Sequence, residues 1–209
     1  ARVAQLHRVV LEALSVVPGV SAAASASSLP LEGFNSNDPM VAEDKTYDPD
    51  KIPPIRRFKF VSPGYFQTVG TPLVAGRDIT WTDIFDDRQV AVVSENLARE
   101  MWGSAASALG KRIRVAAIDS WREIVGVAGD LHDNGMHGPA PTIVYWPSMM
   151  TKFWGQERFA SRSLTYALRS DRTGTEAFLA QVRQAVWSVN PNLPLALVRT
   201  LQDVYDESM

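Results

Sequence analysis

Both ends of this chain carry the same pattern: a run with apolar residues at helical spacing, a proline break, then a short apolar strand. Near the N-terminus Val3, Leu6, Val9, Val10, Ala13, Leu14 and Val17 recur three and four residues apart, Pro18-Gly19 ends the run, and VSAAASAS (20–27) follows as a strand. Near the C-terminus a strand LTYALR (164–169) leads to a helix over 174–189, then Asn190-Pro191 and a strand LALVR (195–199). A helix with one apolar stripe must bury it against another element, so the two ends predict like βαβ units packed side by side. The first unit requires a strand before Ala1. The missing initiator Met and the absence of a leader pattern point the same way, to a piece cut from a longer chain.

The middle of the chain is rich in strands. RRFKFV (56–61) alternates, QVAVV (89–93) reads as a buried strand, KRIRV (111–115) and WREIVGVAG (121–129) as a hairpin, and TIVYW (142–146) as a further strand. Ser62 as N-cap, Pro63 at the first helical position and Gly70 bracket a short helix, and Ser94 caps another that ends at Gly103. Thr200 with Asp203 three residues on has the spacing of a capping box. The segment 29–54, dense in Pro, Asp and Asn, reads either as a long functional loop or as a partly disordered one, with a short strand near Met40–Val41.

With 45% hydrophobic residues in 209, the chain can bury a real core. Its 21 basic and 23 acidic residues give no cationic excess, which excludes the phosphate neutralisation that nucleic-acid binders rely on. The absence of cysteine excludes thiolate metal sites, thiol nucleophiles and disulfides. No apolar run approaches the roughly 20 residues needed to cross a bilayer. The longest, 9–27, is interrupted by Glu12 and Pro18.

VGVAGDLHDNGMHGPAPTIVYWP (125–147) is the densest stretch of potential chemistry, with Asp130, His132, Asp133 and His137 close together. Imidazole and carboxylate donors suit a borderline divalent ion, and Asp130, His132 and His137 are the candidate ligands of a metal-dependent hydrolase. The competing account is a solvated turn whose Asp, Asn and Gly serve turn chemistry, and the spacing, in a loop rather than on a helix, favours it. GSAASALGKR (103–112) has six residues between its glycines where a phosphate-binding loop needs four. The acidic run RDITWTDIFDDR (77–88) lacks the spacing of a calcium loop and reads as a solvated loop. No G-x-S-x-G is present, so no nucleophile is assigned. SMMTKFWGQERF (148–159) reads as a loop whose Met149, Met150, Phe153 and Trp154 are the candidate partner or ligand surface. An apolar cleft between Phe153, Trp154 and the 29–54 loop would suit capture of a solute.

Taken in order, LEALSVVPGVSAAASASSLPLEG, VSPGYFQTVGTPLVAGRDIT, VAVVSENLAREMWG, ALGKRIRV, EIVGVAGD and PTIVYWP resemble the MacB-like periplasmic core domain of FtsX-type ABC transporter permeases, closest to the orphan permeases abundant in acidobacteria. The resemblance covers about residues 5–205. It departs at Ser107-Ala108-Leu109, where the family commonly has Asn-Pro-Ile or Asn-Pro-Leu, and in the length of 147–163. The resemblance implies an α+β fold, with a porter-like subdomain of βαβ units from both chain ends (1–75 and 160–209) and an inserted, mostly β subdomain (76–159). It implies a non-catalytic domain at the periplasmic face of the bacterial inner membrane, inserted between membrane helices and transmitting conformational change. The implied partners are the transmembrane helices of the same permease, a cytoplasmic ATPase acting indirectly, and a periplasmic protein, peptide or lipid. No cofactor and no nucleic acid are implied.

Overall fold

The computed structural model describes residues 2–32, 36–133, 135, 138–161 and 163–207. The N-terminal stripe forms α1 (Arg2–Ser15), and β1 (Val20–Ala26) follows it. Next come β2 (Ser36–Pro39), β3 (Val41–Ala42), β4 (Ile55–Val61), α2 (Tyr65–Val69), β5 (Leu73–Gly76) and α3 (Trp81–Phe85). The centre holds β6 (Val90–Ser94), α4 (Glu95–Trp102), α5 (Ala105–Ala108), β7 (Arg112–Arg114), β8 (Arg122–Ala128) and β9 (Ile143–Pro147). The chain continues through β10 (Met149–Phe153), β11 (Gln156–Ala160), β12 (Thr165–Ser170), α6 (Glu176–Val189) and α7 (Leu201–Glu207).

Ten strands make one mixed sheet in the order β12-β1-β4-β9-β6-β8-β7-β3, with β2 also on β4 and β5 also on β8. β4 runs parallel to β9 and β6 parallel to β8, and the remaining pairings are antiparallel. This is a mixed α+β fold. Because β4 pairs with β9, the sheet continues from the terminal segments into the central one.

The run IVYWP of β9 is buried at every residue, as is VAVVS of β6. Strands covered on both faces read as continuous apolar runs rather than alternating ones. The side chains still alternate. Ala91, Val93, Val144 and Trp146 join Phe58 and Phe60 on one face, with α4 and the β10–β11 hairpin over them. Val90, Val92, Ile143 and Tyr145 join Tyr65, Phe66 and Ile84 on the other. A third cluster lies between α1 and α6, where Val10, Leu14 and Val186 pack over β1 and β12.

Four sequence expectations change. Residues 195–199 form no strand. Leu197 has φ +52° and is 85% exposed, which breaks the extended run, while Leu195 packs into the α1–α6 cluster. The two chain ends are joined through the antiparallel pair β1–β12.

Ser62 is not a helix cap. Its Oγ accepts from Ser25 N at 2.9 Å and ties β4 to β1, and the N-cap of α2 is Gly64 at φ +81°. The acidic run 77–88 is not a solvated loop either. Asp83 is 1% exposed, closes a capping box with Thr80 at the start of α3, and takes both guanidinium nitrogens of Arg77.

Residues 149–160 fold as the β10–β11 hairpin, with Trp154 and Gly155 at its tip, both at positive φ. A buried arginine anchors it. Arg122, 1% exposed, donates to Ser120 O, Thr151 O and Lys152 O at 2.8, 2.7 and 3.2 Å. Its guanidinium also stands over the Trp146 and Phe153 rings at 5.7 and 5.1 Å, and burial draws its pKa down to about 10.

Two predictions follow from these contacts. Arg122→Met removes the charge-assisted hydrogen bonds to three carbonyls, of which Lys152 O keeps only Ser120 N at 3.4 Å, so it should cost about 3 kcal/mol. A melt followed by near-ultraviolet circular dichroism should show a Tm lower by roughly 6–12 °C. An unchanged melt would remove the anchor role.

The second concerns His7, whose Nδ1 meets the Tyr166 hydroxyl and whose burial lowers its pKa below 6.5, against an opposing bond to the Ser161 backbone. The unfolded chain takes up the proton first as pH falls. The stability that His7 contributes is complete above about pH 6.5 and is lost as pH drops below that value. His7→Phe should flatten this limb of the stability curve in urea titrations at pH 5 to 7.5. An acid limb retained in full by the variant would assign it to other groups.

Candidate functional site

The β8–β9 connection, where the sequence concentrates its Asp and His, sends its carboxylates in different directions. Asp130 Oδ1 accepts from Asn96 N at 2.7 Å and its Oδ2 from Arg99 at 2.9 Å, so this residue caps the N-terminus of α4. A carboxylate there satisfies orphan N–H groups and complements the helix dipole. His132 is exposed, with Nδ1 3.2 Å from Gly138 O. Asp133, three residues on, is 3% exposed and points into the fold. His137 lies outside the described residues. Among the described residues no three His, Asp or Glu side chains gather as a metal site.

Asp133 meets two cations, Lys59 at 2.8 Å and Arg57 at 2.9 Å. Lys59, 1% exposed, also donates to Ser28 O at 3.2 Å and Ser28 Oγ at 2.9 Å. Burial lowers the Lys59 pKa, and the Asp133 carboxylate acts against that shift. A buried ion pair of this kind survives when each charge has its partner and the remaining donors are met. Around it stand the hydroxyls of Tyr65 and Tyr145, fully buried and without a hydrogen-bond partner among the described residues. Burial raises both phenols above the usual range, and the negative charge of Asp133 adds to the effect, so they stay protonated.

Sequence reading missed this cluster. In RRFKFV the alternation places Arg57 and Lys59 opposite the phenylalanines, on what would be the wet face of an isolated strand. That face is buried here because α2 and the turn at 28–32 cover it.

α1 and the segment before α7 both reach the surroundings of this cluster. Ala4 belongs to the apolar cluster that contains Ala26 and Leu29. Leu29 N donates to Glu32 at 2.7 Å, and Arg199 lies 3.7 Å from Glu32. Arg199 thus sits against the segment that leaves β1, and Ala4 shares the apolar cluster in which that strand ends.

The four residues of the candidate partner surface divide. Phe153 and Met150, at 0% and 5% exposure, are core, and Met149 is partly buried. Phe58, Phe60, Phe153, Phe159 and Trp146 form a connected set of edge-on and tilted ring contacts, with centroids of the touching pairs 4.6–5.7 Å apart, filling the place of the expected cleft. Trp154 is 39% exposed at the hairpin tip, its Nε1 donating to Asp38 at 2.8 Å. Burial and the charge of Asp119 raise the Asp38 pKa, partly offset by that bond. An open groove of about 770 Å³ runs past Arg77, Arg88 and Glu123, but both arginines are already paired with Asp83 or Asp86.

Three solved structures share this fold. The periplasmic region of MacB from Actinobacillus actinomycetemcomitans is 15% identical, with a TM-score of 0.53, over 86% of this chain and 72% of that one. The extracellular domain of the noncanonic ABC-type transporter YknZ from Gram-positive bacteria is 15% identical, with a TM-score of 0.51, over 88% and 81%. A domain of a putative permease from Porphyromonas gingivalis is 22% identical, with a TM-score of 0.52, over 85% and 68%. No relative among the curated proteins matches the sequence. The family model for the MacB-like periplasmic core domain matches residues 3–185, and with the mixed sheet and the motif order in agreement, the chain belongs to that family.

Proposed function

We propose that this chain is the extracytoplasmic domain of an ABC-type permease, inserted between two membrane helices, and that it relays conformational change rather than catalysing a reaction. One observation carries the reading: Ala4 near the start of α1 shares an apolar cluster with Ala26 and Leu29 where β1 ends, and Arg199 pairs with Glu32 just beyond it, as suits a domain tethered at both ends to neighbouring helices. Movement of those helices would enter a terminal unit (1–75 and 160–209) and pass to the central segment (76–159) through the β4–β9 pairing. Displacement of packed elements about a stiff frame is an established route for such transmission. Within the described residues no helix is long and apolar enough to cross a membrane, so the helices would be supplied by flanking sequence. Of the four candidate surface residues, Trp154, 39% exposed at the hairpin tip, is the one placed to touch a periplasmic protein, peptide or lipid.

The engaged carboxylates of Asp130 and Asp133 speak against a metal-dependent hydrolase. Calorimetric titration with zinc or manganese should give no micromolar isotherm, whereas a 1:1 isotherm abolished by His132→Ala would revive that chemistry. The permease reading is tested by the parent open reading frame. Apolar segments of about 20 residues should flank the domain on both sides. Finding neither would overturn the reading.

A further inference from the structure

The buried Lys59–Asp133 pair is one part of a longer line of alternating charge. Arg199 divides its guanidinium between Glu207 on α7, at 2.8 Å, and Glu32, at 3.7 Å. Glu32 accepts from Leu29 N and lends its negative charge to Lys59. Lys59 holds Ser28 and Asp133, and Arg57 holds Asp133 from its other oxygen. The turn is tied to the same residue through its backbone, since Leu31 N donates to Asp133 O at 3.0 Å with Leu31 at φ +68°. Three residues earlier in the same connection, Asp130 holds the first turn of α4.

From this geometry we infer that the turn at 28–32 and Asp133 form a coupling joint, through which the position of the C-terminal segment at Arg199 sets how firmly the β8–β9 connection and the start of α4 are held. Its purpose rests on the reading of the domain as a relay; the coupling itself does not.

The physical reason lies in where the charges sit. The Lys59 and Asp133 side chains are 1% and 2% exposed, so water cannot replace a partner that moves away. Such a pair is either made, with Ser28 and Leu31 in place, or broken, and a two-arrangement contact transmits displacement where a soft surface pair would dissipate it. Glu32, at 16% side-chain exposure, and Arg199, at 30%, are the wetter end of the line, where the segment that leads into α7 can make or release the contact. Leu31, a non-glycine residue in the left-handed region, is held there by the bond to Asp133 and gains freedom when that bond opens.

The test is amide hydrogen exchange on the 209-residue chain, read at Leu31, whose N–H is bonded to Asp133, and at Asn96, whose N–H is bonded to Asp130. Arg199→Gln and, separately, Glu32→Gln should raise exchange at both amides by about five-fold or more, since local opening reports the free energy of the contacts that close it. Arg199→Lys keeps the charge and should stay within about two-fold of the parent. Amides of the β10–β11 hairpin, outside the line, should not change. An unchanged Asn96 in both Gln variants would overturn the joint. An equal rise in the hairpin would do the same, by showing general loosening. If the parent gene lacked flanking membrane segments, the relay reading would fall and the exchange result would stand.

Discussion

The fold depends on covering both faces of β9 and β6. Neither strand has a wet side, so the sheet is stable only with a layer above and a layer below. On one face the cover is α4 and the β10–β11 hairpin; on the other it is α2 and α3. The two covers are held differently. Arg122 pins the hairpin by binding the carbonyls of Thr151 and Lys152 from beneath, a polar anchor inside an aromatic cluster. α2 is held through Gly64, whose N–H donates to Asp78, and through the tyrosine that packs against Tyr145.

On the second face lies the polar cluster of Lys59, Asp133, Ser28 and two buried tyrosines, enclosed where an all-apolar core would also fit. Replacing buried ion pairs by apolar residues is often neutral or stabilising, so stability alone does not account for the arrangement. What the cluster provides is directional: it fixes the turn leaving β1, the strand β4 and the β8–β9 connection to one another. These are the elements lying between the terminal segments and the centre of the sheet, which is where the proposed relay would need stiffness.

The Asp/His stretch shows how a chemically suggestive sequence resolves into structure. Metal binding needs its carboxylates to converge, and here Asp130 turns to a helix N-terminus while Asp133 turns inward to two cations. The acidic run at 77–88 resolves in the same way, with Asp83 folded back onto Arg77 and Thr80. In both places a carboxylate finds a donor closer in space than any neighbouring carboxylate would be useful to an ion.

By itself the sequence determined the elements whose signals are local. α1 and its Pro18-Gly19 stop, α4 between Ser94 and Gly103, the buried runs of β6 and β9, and the Thr200–Asp203 capping box all follow from spacing and termination within about fifteen residues. The order of those pieces also carried the family. Tertiary structure alone decided what depends on distant partners. Ser62 serves β1 rather than a helix because Ser25 lies beside it; residues 149–160 become a hairpin because Arg122 and the phenylalanines of β4 receive them. Leu195 packs under helices instead of joining a strand, and Lys59 is buried because a turn thirty residues earlier covers it. Local periodicity states which side chains share a face, but whether that face meets water or another layer is settled by elements far away in the chain.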